Sequence, residues 1–210
     1  MSWLYYLAWP IVAPIFKTMF LCWKVEGKEN MVKKGAIFAA NHVSNAEGPI
    51  LNALRYRPVR FLGKEELFHK PFSRIILKGV GTIPIKRGKS DKIAFEKALL
   101  ALKRGNWIGI FPEGTRGNGR ELGDPHTGAI RLAMLADVPI VPVGFSGGTK
   151  AWPKGGWPRP FRKVNVRIGP PWKVPRPEDG REPTYAELKE LARYLMFELI
   201  QPLVDFDLDK

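Results

Sequence analysis

The chain has 210 residues, of which 45% are hydrophobic and 26% charged, enough apolar side chain to build a core and too much for a disordered chain. Lys and Arg total 34 against 20 Asp and Glu, a net charge of +14 that calls for an anionic partner: nucleic acid, an acidic membrane surface or a phosphorylated substrate. The single cysteine, Cys22, excludes an internal disulfide framework, and with only three scattered histidines beside it a zinc site is disfavoured.

Residues 2–23 are almost wholly apolar or aromatic. The length suits a membrane span of roughly 20 residues, but Pro10 and Pro14 interrupt the run, Lys17 sits inside it, and Trp3, Tyr5, Tyr6 and Trp9 are spread along it. Such rings favour the headgroup boundary, because their bodies are apolar and their polar tips want water. The segment therefore reads as a kinked helical hairpin lying in the interface; a true span, and helices packed on the protein's own core, are the alternatives. No basic residues precede the run and no small-x-small cleavage site is clear, which disfavours a signal peptide. Residues 1–30 are assigned to a membrane-interface helical segment and 31–210 to an α/β domain.

Past Val32, short apolar runs alternate with segments of helical period. A buried strand is expected at 36–40, after the turn at Lys34-Gly35. The segment Asn41-His42-Val43-Ser44-Asn45-Ala46-Glu47-Gly48-Pro49 follows it directly. His42 and Glu47 are five apart and would not share a face of a regular helix. Ser44-Asn45, however, reads as a turn and helix cap, with Pro49 in the first turn of a helix over 46–56. Such a bend can bring Glu47 back to the His42 ring, fixing its tautomer and leaving the other nitrogen to act as general base. An exposed loop histidine near a first-turn glutamate is the plainer reading.

Further strands are expected at 59–62 and 81–85, with a helix at 71–78 between them. A helix over 91–104 is well marked: Ser90 can cap it, Asp91 sits in its first turn, and Lys103, Arg104 and Gly105 close it. After a strand at 107–111 comes the second chemical segment, Ile110-Phe111-Pro112-Glu113-Gly114-Thr115-Arg116-Gly117-Asn118-Gly119. Its glycines permit a tight backbone, and Arg116 offers a planar fork suited to phosphate. A Gly-rich turn with an incidental arginine is equally compatible. No Walker pattern is present, so a nucleotide P-loop is not supported.

A helix at 127–136 and strands at 140–145 and 164–168 follow. From Gly144 to Pro177 there is no acidic residue, while Lys150, Lys154, Arg159, Arg162, Lys163, Arg167, Lys173 and Arg176 alternate with Trp152, Trp157, Phe161 and Trp172. The mix suits anionic headgroups; it equally suits single-stranded nucleic acid or a solvated loop with an edge strand. A last helix starts at Thr184, with a capping box to Glu187 and apolar positions at Leu188, Leu191, Leu195, Leu199 and Leu203. The whole reads as an α/β fold, a mixed and mostly parallel sheet flanked by helices, with the hydrophobic hairpin at its N-terminus.

Asn-His-x-x-x-x-acid followed some 65 residues later by Phe-Pro-Glu-Gly-Thr-Arg resembles the glycerolipid acyltransferase superfamily, and most closely its 1-acylglycerol-3-phosphate acyltransferase branch. Gly81-Thr82-Ile83-Pro84-Ile85-Lys86-Arg87 resembles that family's second motif and Val138-Pro139-Ile140-Val141-Pro142-Val143-Gly144 its fourth; Phe61 to Phe68 also looks typical. The resemblance covers roughly residues 35–150. It implies transfer of a fatty acyl group from acyl-CoA or an acyl carrier protein to the free hydroxyl of lysophosphatidic acid, giving phosphatidic acid for phospholipid biosynthesis. His42 would be the base and Glu47 its orienter. Arg87 and Arg116, with Lys86 and Lys64, would hold the acceptor's phosphate. Glu113, Gly114 and Thr115 would shape the pocket, and Pro142 would support it from the next strand. The thioester is a co-substrate, and no cofactor, metal or nucleic acid is expected. The implied location is the cytoplasmic face of the cell membrane, peripheral or monotopic, on anionic phospholipid. Direct transfer is expected, without an acyl-enzyme intermediate: Cys22 lies in the N-terminal segment, and no serine is assigned as a nucleophile. The family's usual acid in the first motif is Asp. Glu47 in its place leaves room for another acceptor, either a different lysophospholipid or glycerol 3-phosphate; a basic membrane- or nucleic-acid-binding protein without catalysis is the remaining alternative, and it leaves the His42 and Glu47 pair unexplained.

Overall fold

The computed structural model describes residues 3–19, 24–54, 57–86 and 91–210. Arg87, Ser90 and Cys22 lie outside these residues. Seven strands form one sheet in the order β1-β7-β6-β2-β5-β3-β4: β1 Lys24–Glu26, β2 Ala36–Ala40, β3 Val59–Lys64, β4 Ile83–Ile85, β5 Trp107–Ile110, β6 Ile140–Ser146 and β7 Asn165–Ile168. The five strands β6, β2, β5, β3 and β4 run parallel. β7 is antiparallel to β6, and β1 runs with β7. The sheet is thus mixed and mostly parallel, as expected, but it begins at Lys24, inside the segment assigned to the membrane interface. A three-residue strand with one apolar position carries too little pattern to be read from sequence.

The central strands are buried on both faces, which is why their sequences are continuous apolar runs rather than alternating ones. Ile37, Ala39 and Ile108 point to a core built with α4 Lys92–Lys103, α5 Gly128–Ala136 and α7 Tyr185–Tyr194. Ala36, Phe38, Ala40 and Trp107 point to the other core, covered by α2 Glu47–Leu54. α1 Trp3–Met19 packs on α2: Tyr5 and Ala13 are buried, and the Tyr5 hydroxyl and Trp9 indole N–H both donate to the Asn52 carbonyl. α3 Pro71–Gly79 lies between β3 and β4, and a short α6 Gly148–Ala151 follows β6.

The hairpin expected from Pro10 and Pro14 is not formed within the described residues; both prolines sit inside a single 17-residue helix. At 1.5 Å per residue that helix is about 25 Å long, short of the ~30 Å hydrocarbon core. No described helix is long and apolar enough to cross a membrane. At α4 the cap is Asp91, whose carboxylate accepts from the Ala94 N–H. The Thr184–Glu187 capping box forms as expected. The final helix then loosens into a π-helical turn at Leu195–Ile200. That extra residue per turn rotates the buried stripe, so Ala192, Met196 and Ile200 join Leu188 and Leu195 in the core, while Leu191 and Leu199 are only partly buried.

Candidate active site

All the parallel strands deliver their C-terminal ends to one edge of the sheet, where ligands collect in such folds. β2 leads into His42, β5 into Phe111 and Glu113, β3 ends at Lys64, and β4 runs into Lys86. Asn41 fixes the first of these exits. Its fully buried side-chain amide donates to the Phe145 carbonyl and accepts from the Phe145 N–H, at 2.8 and 2.7 Å, so it ties the end of β2 to β6.

The bend after Asn41 closes on Glu47, the first residue of α2. One Glu47 oxygen lies 2.6 Å from His42 Nδ1. The other accepts from the Val43 and Ser44 N–H groups at 2.8 and 2.6 Å. Glu47 is 1% exposed, so these three partners are its environment, and a buried carboxylate needs them. Ser44 Oγ accepts from the Ala46 N–H and completes the turn. Proximity of His42 and Glu47, open on spacing alone, is therefore realised. The longer Glu reaches because it serves the turn and the imidazole at once.

With Nδ1 engaged, His42 Nε2 has no hydrogen-bond partner among the described residues. The ring stacks on Phe111 with centroids 3.9 Å apart and planes 10° from parallel, and Phe111 in turn stacks on Phe61 at 5.3 Å. This ladder runs across β2, β5 and β3. It depends on Gly109, where any Cβ would lie 2.3 Å from the Phe61 ring.

The Phe-Pro-Glu-Gly-Thr-Arg segment holds the same histidine by its main chain. The His42 N–H donates to Glu113 Oε1 at 2.9 Å, and the His42 carbonyl accepts from the Gly117 N–H at 2.7 Å. Glu113 Oε2 accepts from the Gly123 N–H at 2.9 Å. Burial pushes the Glu113 carboxyl above its ordinary value, partly opposed by the Gly123 and His42 N–H groups. Arg116, half-buried, donates through Nη1 to Asn45 Oδ1 at 2.6 Å, which places a guanidinium beside the His42 turn. Gly114 has φ +67 and abuts the His126 ring; Thr115 is exposed.

The remaining sequence-derived residues stand at different distances. Lys64 and Lys86 are exposed on the β3–β4 side, where Lys86 Nζ is 3.9 Å from a Glu65 oxygen. At about 4.8 Å per strand, β3 and β4 lie roughly 10 and 14 Å from β2. Pro142 is buried in β6 opposite Ala39, and its carbonyl accepts from the Gly169 N–H. The roles of Asn41, Asn45, Phe111 and Gly123 were not drawn from the sequence. For Asn41 a signal existed, a polar residue ending a fully apolar strand; the Glu113–Gly123 contact joins two loop positions and had none.

The family model described as Acyltransferase matches residues 22–146, a stretch containing both segments. The chain is 32% identical over 152 residues to a 1-acyl-sn-glycerol-3-phosphate acyltransferase of Pseudomonas aeruginosa, covering 70% of this chain and 58% of that one. It is 37% identical over 111 residues to a lyso-ornithine lipid O-acyltransferase of the same organism, covering 52% and 42%. A 1-acyl-sn-glycerol-3-phosphate acyltransferase of Borreliella burgdorferi is 35% identical over 123 residues, covering 57% and 49%. The chain thus spans about half the length of the curated relatives it matches. Its fold is that of the 1-acyl-sn-glycerophosphate acyltransferase PlsC from Thermotoga maritima, with a TM-score of 0.75 over 94% of this chain and 78% of that one, at 24% identity. With both motif segments inside the matched region and converging on His42, the chain belongs to the acyltransferase family.

Proposed function

We propose that the chain transfers a fatty acyl group from an acyl thioester to the 2-hydroxyl of 1-acylglycerol 3-phosphate, giving phosphatidic acid. The observation that carries this reading is the double hold on His42, its ring by Glu47 and its main chain by Glu113 and Gly117. The names of the Pseudomonas and Borreliella relatives support the acceptor. The acceptor hydroxyl gives its proton to His42 Nε2 as its oxygen attacks the thioester carbonyl. The C–O bond forms, the C–S bond breaks, and the imidazolium returns the proton to the leaving thiolate. Glu47 stabilises the imidazolium meanwhile.

Arg116, beside the His42 turn, is the first cation for the acceptor's phosphate, with Lys86 and Lys64 supplying charge from the β3–β4 side; Arg87, the fourth cation of this reading, lies outside the described residues. The offset of the two lysines from β2 suits a phosphate that sits several ångströms from the reacting hydroxyl. The donor is acyl-CoA or an acyl carrier protein thioester. A membrane-borne acceptor requires an enzyme seated on anionic phospholipid, at the cytoplasmic face of the cell membrane, and α1 exposes Leu7, Ile11 and Ile15 along one stripe for that purpose. A different lysolipid acceptor is the second reading, favoured by the relative that acts on lyso-ornithine lipid and by Glu47. Thiol release in the presence of lysophosphatidate, lyso-ornithine lipid or glycerol 3-phosphate decides between them. Release only with lysophosphatidate supports the first reading, and release only with another acceptor replaces it.

A further inference from the structure

Residues 152–163 form an ordered loop that presents aromatic rings instead of burying them. Trp157 is 87% exposed and Phe161 62%. Phe161 also sits at φ +62, a conformation that bulky residues rarely adopt. The loop is held by its own bonds: the Gly156 N–H donates to Pro153, the Trp152 indole N–H to the Gly156 carbonyl, and the Arg159 N–H to Ala151. The backbone that carries the rings is therefore held, with both rings on the outside. Around them Lys154, Arg159, Arg162 and Lys163 are all exposed, and none forms an ion pair among the described residues. No carboxylate occurs between Gly144 and Pro177 to neutralise them.

The loop is also joined to both functional parts of the molecule. The Phe161 N–H donates to the Met19 carbonyl at 2.8 Å, at the C-terminal end of α1. At its start, the Trp152 carbonyl accepts from the Asn45 N–H at 3.2 Å, and Asn45 is the residue that receives Arg116.

We propose that loop 152–163 is a second membrane-seating element whose occupant is the interface of an anionic phospholipid bilayer. Trp157 and Phe161 enter the headgroup boundary, and the four cations pair with lipid phosphates. Stable peripheral anchoring takes two signals, and this loop joins its own apolar and basic signals to the apolar stripe of α1. Through Trp152 and Asn45 it seats the Arg116 side of the site at the membrane surface, where a lysolipid can enter laterally. This inference rests on the reading that the acceptor is carried in a membrane.

The test uses the full chain. Wild type, Trp157→Ser with Phe161→Asn (Asn tolerates the positive φ), and a variant with Lys154, Arg159, Arg162 and Lys163 changed to Gln are sedimented with vesicles of phosphatidylglycerol and phosphatidylcholine. Acyl transfer to lysophosphatidate is followed in parallel in detergent mixed micelles. Both variants should partition to vesicles about tenfold less than wild type, with unchanged thermal midpoints and micellar turnover within about twofold. Equal partitioning of variants and wild type overturns the inference. So does wild type that ignores vesicles but retains a single-stranded oligonucleotide, which assigns the loop to nucleic acid. Absence of turnover in wild type counts against the acyltransfer reading, while the partitioning measurement still decides the loop.

Discussion

His42 is positioned by three hydrogen bonds, one from nearby Glu47 and two from the distant segment of Glu113 and Gly117, and each can be cut separately. His42→Ala removes the base and should lower kcat by about 10²–10⁴-fold with little change in KM. Glu113→Gln tests the main-chain hold. One side of the amide must face either the His42 or the Gly123 N–H with a donor, and an unsatisfied buried pair of this kind costs about 1–3 kcal/mol. Turnover should fall without any group that touches substrate having been changed. The same variant has a pH signature. A carboxyl raised on folding binds more protons in the folded than in the unfolded chain, so its contribution is complete below pH 4.5 and declines as pH rises through the elevated value. The thermal midpoint of wild type relative to Glu113→Gln should therefore drop as pH is raised above 4.5; a difference that grows would mean that the site favours the charged form. Arg116→Lys keeps the charge and loses the planar fork, so KM for a phosphate-bearing acceptor should rise roughly tenfold while kcat holds. Asn-His-x-x-x-x-acid and Phe-Pro-Glu-Gly-Thr-Arg were legible as residue types with a chemistry. That Glu113 grips the His42 backbone was not, because no linear spacing encodes a contact across 71 residues.

At the level of elements, strand identity was carried by composition and strand order was not. The five apolar residues of β2 announce a strand buried on both faces, and the structure places it between β6 and β5. β1 escaped notice because its partner, β7, supplies its register and its own three residues supply almost nothing. The hairpin expectation failed for a definite reason: prolines at 10 and 14 can be carried within one helix, and α2 offers α1 a continuous surface to lie on. Gly109 shows how an element can constrain the site remotely. A methyl there meets the Phe61 ring, so Gly109→Ala should destabilise the fold by about 1–3 kcal/mol and disturb the Phe61–Phe111–His42 stack. Thermal unfolding reads the first effect and turnover the second. Loss of stability with full turnover would show that the stack is not needed to place the imidazole.

For the molecule as a whole, the +14 charge pointed to an anionic partner without saying which. The structure concentrates part of that charge in loop 152–163, beside exposed aromatic rings and the end of α1. Deleting residues 1–23, which spares β1, should leave a folded domain whose remaining attachment to anionic vesicles weakens steeply at high salt, since only two exposed rings then support charges that are screened within about 3 Å at 1 M. Tight binding of the truncated chain at high salt would show that α1 is not the main apolar anchor. The most direct measurement is thiol release from a long-chain acyl thioester, with both CoA and carrier-protein donors, in mixed micelles containing lysophosphatidate, comparing wild type with His42→Ala. Release that requires the lysolipid, yields phosphatidic acid by mass and falls at least about 100-fold in the variant is the expected result. Undiminished release in His42→Ala, or none from wild type with either donor and any lysolipid, would contradict it.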